Sequence, residues 1–156
     1  MRASTFAVVV TTSLLLQTVA HPVSAQGVAK IPTISQRQFV GGSVTVTVRG
    51  SFQISQDVAI NTKASYGDGS YTWLQFGASG DAAPNALITV GDQEIGIIVA
   101  KGKATATAEA VNCKGKIEVT STTVTGQYTC AGVTSYDSGT MRMGTVDVEV
   151  RFSTKS

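Results

Sequence analysis

Histidine is almost absent from this chain: the only one among 156 residues is His21. It lies in an N-terminal segment that we expect to be cleaved, which would leave a mature chain without histidine. That would exclude Ser-His-Asp and Cys-His catalysis and histidine-ligated zinc, copper or iron. Cysteine is almost as scarce, with Cys113 and Cys130 only. If these two form a disulfide, thiolate catalysis and thiolate metal sites are excluded as well.

The chain also lacks a large excess of charge of one sign. The 12 basic and 10 acidic residues are scattered singly, and the formal net charge is +2. No run of Lys or Arg could follow a phosphate backbone, so we expect no nucleic-acid partner. No spaced series of carboxylates and no cofactor motif is present, so we expect no metal and no cofactor. Scattered carboxylates still permit a glycoside-hydrolase-type pair.

The N-terminus has the features of a secretory signal peptide. A positive start at Met1–Arg2 is followed by the apolar run Phe6–Leu16 and by the small-residue site Val23-Ser24-Ala25. We therefore predict a signal peptide over 1–25, an extended arm over 26–41 and a single domain over 42–156. The mature protein is expected outside the cell, or in the periplasm of a two-membrane bacterium, without a transmembrane segment. Such a compartment is oxidising and favours disulfides.

Alternation of apolar and polar residues dominates the rest of the chain. It is clearest in Ser43–Arg49 and in Thr145–Phe152, where valines occupy every second position. Glycine-containing turns separate these segments, and no window shows a helical apolar stripe. The pattern predicts an all-β, antiparallel β-sandwich of about eight or nine short strands, with a small closed β-barrel as the alternative. The weaker predicted strands are Phe52–Ile54, Val58–Lys63, Tyr71–Gly77, Ala86–Val90, Glu94–Val99 and Ala104–Ala110.

The two cysteines fit one β-hairpin near the C-terminus. The runs Lys114–Ser121 and Thr123–Gly132 alternate with period two, and a turn at Ser121–Thr122 would place Cys113 opposite Cys130. A slip of one residue would put apolar side chains opposite polar ones, so the pattern specifies this register. The pair would occupy a non-hydrogen-bonded position, where Cα atoms are about 4.5 Å apart and a disulfide can form. We predict a structural disulfide.

Aromatic residues make up only 6% of the chain. Tyr71 and Trp73 share one face of a predicted strand, while Leu74 and Phe76 share the other. Two interpretations follow. Either the strand is covered on both faces and Trp73 belongs to the core, or Leu74 and Phe76 face the core and the other two rings form an exposed platform. An exposed platform would suit sugar rings or an apolar protein surface.

The sequence thus favours a secreted, non-catalytic binding or structural module that acts at a cell surface or in the medium. Its expected partner is a protein or a carbohydrate, and Tyr71 and Trp73 are the candidate contact residues. Two alternatives are a small carboxylate-dependent hydrolase and a carrier that holds an apolar ligand inside a closed barrel. A buried acid of raised pKa would favour the enzyme, and an internal apolar cavity would favour the carrier.

Overall fold

The computed structural model describes residues 37–67, 71–78, 83–91 and 94–156. The predicted signal peptide and most of the predicted arm lie outside these ranges. These ranges contain eleven strand segments, two of which contain only two residues. They are β1 (Arg37–Gln38), β2 (Gly41–Gly50), β3 (Ile54–Ala59), β4 (Tyr66–Gly67), β5 (Thr72–Phe76), β6 (Asn85–Val90), β7 (Ile95–Lys101), β8 (Ala104–Glu109), β9 (Cys113–Val119), β10 (Thr123–Asp137) and β11 (Arg142–Lys155).

All strand pairs are antiparallel, and the sheet is curled into a half-barrel. The strand order is β1-β4-β5-β6-β7-β8-β10-β11-β2-β3, and β9 pairs with β10 beside this path. The only helix in the described ranges is a 3-10 turn at Ala110–Asn112. The all-β prediction is therefore confirmed.

The segments in which apolar and polar residues alternate form strands with one buried face, as the sequence indicated. Val44, Val46 and Val48 of β2 are buried on one face, and they pair across the sheet with Phe152, Val150 and Val148 of β11. The polar residues between them face solvent. The two most strongly alternating segments are thus hydrogen-bonded neighbours, although about a hundred residues separate them in sequence.

The prediction of two separate strands after β2 was wrong. Phe52–Ile54 and Val58–Lys63 were expected to be separate, but one strand, Ile54–Ala59, joins them. Gln56 misled the prediction, because its position should carry an inward apolar residue and it is instead polar and exposed.

Strand β10 is longer than predicted because it passes through a β-bulge. The sequence indicated an end at Gly132, but the strand continues to Asp137. The register with β11 shifts between Cys130 and Val133, and Gly132 has φ of +65°. A glycine in the left-handed region is a common way to build such a bulge. The bulge divides one edge of β10: Val124–Cys130 pairs with β9, and Ser135–Asp137 pairs with β8.

The predicted hairpin is confirmed in register and in its disulfide. β9 and β10 pair from Val119–Val124 through to Cys113–Cys130, as the alternation required. The two cysteines are bonded, and their Cα atoms lie 4.0 Å apart. Thr120 closes the turn, since its side-chain oxygen accepts hydrogen bonds from the N–H groups of Thr122 and Thr123.

The inward side chains form one hydrophobic cluster. Phe76 on β5 and Phe152 on β11 meet inside it, with ring centroids 6.4 Å apart, although β6, β7, β8 and β10 lie between these two strands in the sheet order. The curvature of the sheet brings them together. The largest fully buried side chains are Phe39, Phe76, Leu74, Ile88, Ile97, Val44, Val46, Val48, Val99, Val124, Val133 and Val146.

Candidate functional site

Strand β5 places Trp73 on the outer face of the sheet. Leu74 and Phe76 are fully buried on the inner face, where they join the core. Alternation then directs Trp73 outward, and its side chain is 42% exposed. Of the two interpretations of this strand, the geometry matches the one with an outward tryptophan.

Tyr66, which the sequence did not single out, lies beside Trp73. It belongs to the two-residue strand β4 and pairs directly with Trp73. The two rings are 4.8 Å apart between centroids and tilted by 60°, which is a favourable aromatic geometry. Tyr66 is 40% exposed. A two-residue strand has no periodicity, so the sequence pattern carried no signal for this contact.

Tyr71 extends the same surface toward the start of β5. It is 46% exposed, and its ring lies against the backbone of Gly91. A Cβ at residue 91 would be 2.8 Å from the ring, so any larger residue there would displace the ring from this position. We call the surface formed by Tyr66, Tyr71 and Trp73 the aromatic platform.

A buried serine fixes the backbone beneath the platform. Ser65 is 1% exposed and joins β4 to β5 through its hydroxyl group. The hydroxyl donates to the carbonyl of Asn61 at 2.9 Å and accepts from the N–H of Gln75 at 3.0 Å. Because the hydroxyl group that makes both bonds is buried, it holds the strands that carry Tyr66 and Trp73 in a fixed relation.

A row of directly paired residues, one from each neighbouring strand, crosses the platform, and the members named here are uncharged. From Gln38 it runs through Tyr66 and Trp73 to Thr89 and then to Gly96. Amide and hydroxyl groups therefore flank the rings on both sides along the row. Aromatic faces bordered by neutral hydrogen-bonding groups can contact a neutral, hydroxylated ligand.

A second surface feature is an open cleft of about 210 Å³ over the outer face of β9, β10 and β11. Lys116, Glu118 and Gln127 line it together with Arg151, which forms an exposed ion pair with Glu149 at 3.0 Å. Exposed pairs of this kind contribute little free energy. The cleft has charge of both signs and no geometry that selects a particular ligand.

A third surface lies at the β10–β11 hairpin. Tyr136, Met141 and Met143 are exposed there, and the Tyr136 hydroxyl donates to Met141 Sδ at 2.9 Å. Tyr136 is 40% exposed, like the platform tyrosines, but no second ring is stacked on it among the residues described.

The Asp137 carboxylate does not have the raised pKa that would suit a catalytic acid. Asp137 accepts hydrogen bonds from the N–H groups of Gly139 and Thr140, at 2.7 and 3.2 Å, and these bonds hold its pKa below the ordinary value. A catalytic acid requires the opposite shift. Within the described ranges there is no group of three or more His, Cys, Asp or Glu side chains placed to hold a metal.

The same part of the chain contains no helix of sufficient length and apolar character to cross a membrane. No protein-family model, no curated protein and no solved structure matches this chain.

Proposed function

We propose that this protein is a non-catalytic, carbohydrate-binding module whose aromatic platform stacks on sugar rings. The observation that carries the proposal is the exposed Tyr66–Trp73 pair, since Trp73 lies on a strand whose opposite face is buried at Leu74 and Phe76. Aromatic rings present large apolar surfaces and lose little conformational entropy on binding, because few torsions have to be fixed. The Cys113–Cys130 disulfide is compatible with action in an oxidising, secreted environment.

The neutral surroundings of the rings favour a carbohydrate over a protein partner. Gln38 and Thr89 continue the row of the platform with an amide and a hydroxyl group. The Gln38 side-chain nitrogen donates to the Thr62 carbonyl and the Thr89 hydroxyl donates to the Gly96 carbonyl. Both side chains would therefore use their oxygen atoms to accept hydrogen bonds from sugar hydroxyls while the rings contact the apolar face of the sugar. Protein-binding surfaces more often have well-packed anchor residues at their centre and a polar rim around them.

A second inference concerns the fold that carries the platform. We infer that the half-barrel is a small closed barrel rather than a sandwich. Ile60, directly after β3, forms a bridge with Phe76 of β5. Two hydrogen bonds of 2.7 Å flank it, from Asn61 N–H to the Gln75 carbonyl and from Gly77 N–H to the Ala59 carbonyl. These contacts join β3 at one end of the strand order to β5, and they support closure.

Trp73 is the only tryptophan, so its fluorescence reports on the platform alone. The experiment is a titration with soluble hexamers of β-1,4-glucose, β-1,3-glucose and β-1,4-N-acetylglucosamine, together with retention on the corresponding insoluble polymers. We expect at least one probe to shift the emission. Trp73→Ala should weaken retention about tenfold or more, in line with the contribution of one aromatic contact.

Tyr136→Ala is the matched control, because it removes a tyrosine of the same exposure away from the platform. It should bind as the wild type does. If Trp73 emits as a buried indole that acrylamide does not quench, or if no polymer retains the protein, the platform proposal is refuted. Retention that is equal in Trp73→Ala and the wild type would place binding on another surface.

A further inference from the structure

Among the described strands, β9 has a pairing partner on one edge only. In the chain as described, it pairs with β10 and with no other strand. The bond from Thr120 N–H to the Thr123 carbonyl, 2.9 Å long, makes 120 and 123 a hydrogen-bonded pair. Since such pairs alternate, the even-numbered residues of β9 bond to β10, and the odd-numbered residues direct their N–H and C=O groups to the other edge.

The residues that face this open edge are Gly115, Ile117 and Val119. Their side chains lie on the inner face of the sheet, where Ile117 and Val119 pack against the core but stay only partly buried. Gly115 is exposed. A further strand at this edge would supply the missing hydrogen bonds and cover the two apolar side chains.

Charge on the outer face of β9 distinguishes the strands that could pair there. Lys114, Lys116 and Glu118 are exposed on that face. Lysines on an edge strand usually discourage pairing, because a second strand with the same charge is repelled. Glu118 makes this strand an exception, since an antiparallel copy can place its glutamate opposite a lysine.

We propose that two copies of this protein pair antiparallel through β9, about a two-fold axis at Ile117. In this register Lys116 of each copy lies opposite Glu118 of the other, and Ile117 lies opposite Ile117. Gly115 lies opposite Val119, so a small residue faces a large one. The outward N–H and C=O groups of Gly115, Ile117 and Val119 all gain partners.

Neighbouring symmetric registers are less favourable. An axis at Lys116 places the two copies of that lysine opposite each other. An axis at Gly115 places Lys114 opposite Lys116 twice. Like charges directly opposite in a sheet are destabilising, whereas opposite charges stabilise. The axis at Ile117 is the one of these three that has two oppositely charged pairs and no like pair.

A charge-swap series measured by sedimentation velocity over a range of protein concentrations tests the proposal. The wild type should dimerise. Lys116→Glu and Glu118→Lys should each weaken the dimer about tenfold or more, because symmetry turns two attractive pairs into two repulsive ones. The double variant Lys116→Glu/Glu118→Lys should restore wild-type association.

Lys114→Glu is the matched control, because it makes the same change of charge on the same strand and face. In the proposed register it lies opposite uncharged Thr120, so it should leave dimerisation within about twofold of wild type. Circular dichroism and the intact disulfide verify that every variant is folded. A wild type that stays monomeric, single variants that dimerise normally, or a double variant that stays monomeric would each overturn the proposal. Loss of the dimer in Lys114→Glu would also overturn it, since that result indicates the axis at Lys116.

Discussion

Removal of the disulfide is the perturbation for which the structure supplies the clearest magnitude. The variant Cys113→Ala/Cys130→Ala removes both sulfur atoms and leaves no free thiol, because the sequence contains no other cysteine. The native bond links residues 17 apart in sequence. It stabilises the fold mainly because it restricts the unfolded chain, and a loop of that length corresponds to about 3 kcal/mol.

The packing contribution of the two side chains is smaller. Cys130 is fully buried, whereas Cys113 is only partly covered. Residual hairpin structure in the unfolded chain would reduce the entropic gain. We therefore expect the free energy of unfolding to fall by about 2–3 kcal/mol, measured by urea denaturation of the oxidised wild type and the double variant.

The loss should be concentrated in one strand. β9 has β10 as its only strand neighbour in the ranges described, whereas β2 is paired on both edges. Without the disulfide, amide hydrogen exchange over Cys113–Val119 should accelerate much more than over Gly41–Gly50, because strands with fewer partners open at lower free energy. A stability loss under 0.5 kcal/mol, or uniform acceleration in both strands, would refute this account of how the hairpin is held.

Two further predictions concern close packing and a turn. Gly126→Ala should destabilise the protein by about 1–3 kcal/mol in urea denaturation, because its Cβ would lie 2.4 Å from the Phe152 ring. The control Gly41→Ala, which has no atom within 4 Å of its Cβ, should be nearly neutral; equal effects would contradict the packing argument. Asp137 should titrate below 3.8 in an NMR pH series, because two backbone N–H groups donate to its carboxylate. The stability it confers is present above that ordinary value and lost as pH falls through the lower folded pKa, and a midpoint at or above 3.8 would contradict this.

The sequence predicted features that depend on neighbours close along the chain. The hairpin register followed from alternation about one turn, because only one register kept Val119 opposite Val124 and the charged residues on the other face. The valine faces of β2 and β11 followed in the same way. Alternation identifies a half-buried strand, but it does not identify the strand beside it, so the β2–β11 pairing could not be predicted.

The candidate site shows the same limit. The pattern named Tyr71 and Trp73 but left open whether their face was buried, because both faces of that strand carry aromatic residues. Partners that are distant in sequence decide which face of this strand is buried. Leu74 pairs with Ile88, which pairs with Ile97, and all three are fully buried. Tyr66 was missed because its strand is too short to show a period.

The two proposals concern different parts of the sheet, and that separation has a consequence for binding. The platform lies on β4 and β5, near the β1 end of the strand order, whereas self-pairing would use the edge of β9 that faces away from β10 and pairs with no described strand. A dimer formed through β9 would therefore leave both platforms accessible. On a polymer that repeats the same sugar, engagement of one platform would raise the effective concentration of the other, so the dimer would be retained more strongly than either copy alone. A soluble oligosaccharide too short to span both platforms would gain nothing from dimerisation. Weak stacking on a few exposed rings can therefore support firm attachment to a repeating surface without a deep binding pocket.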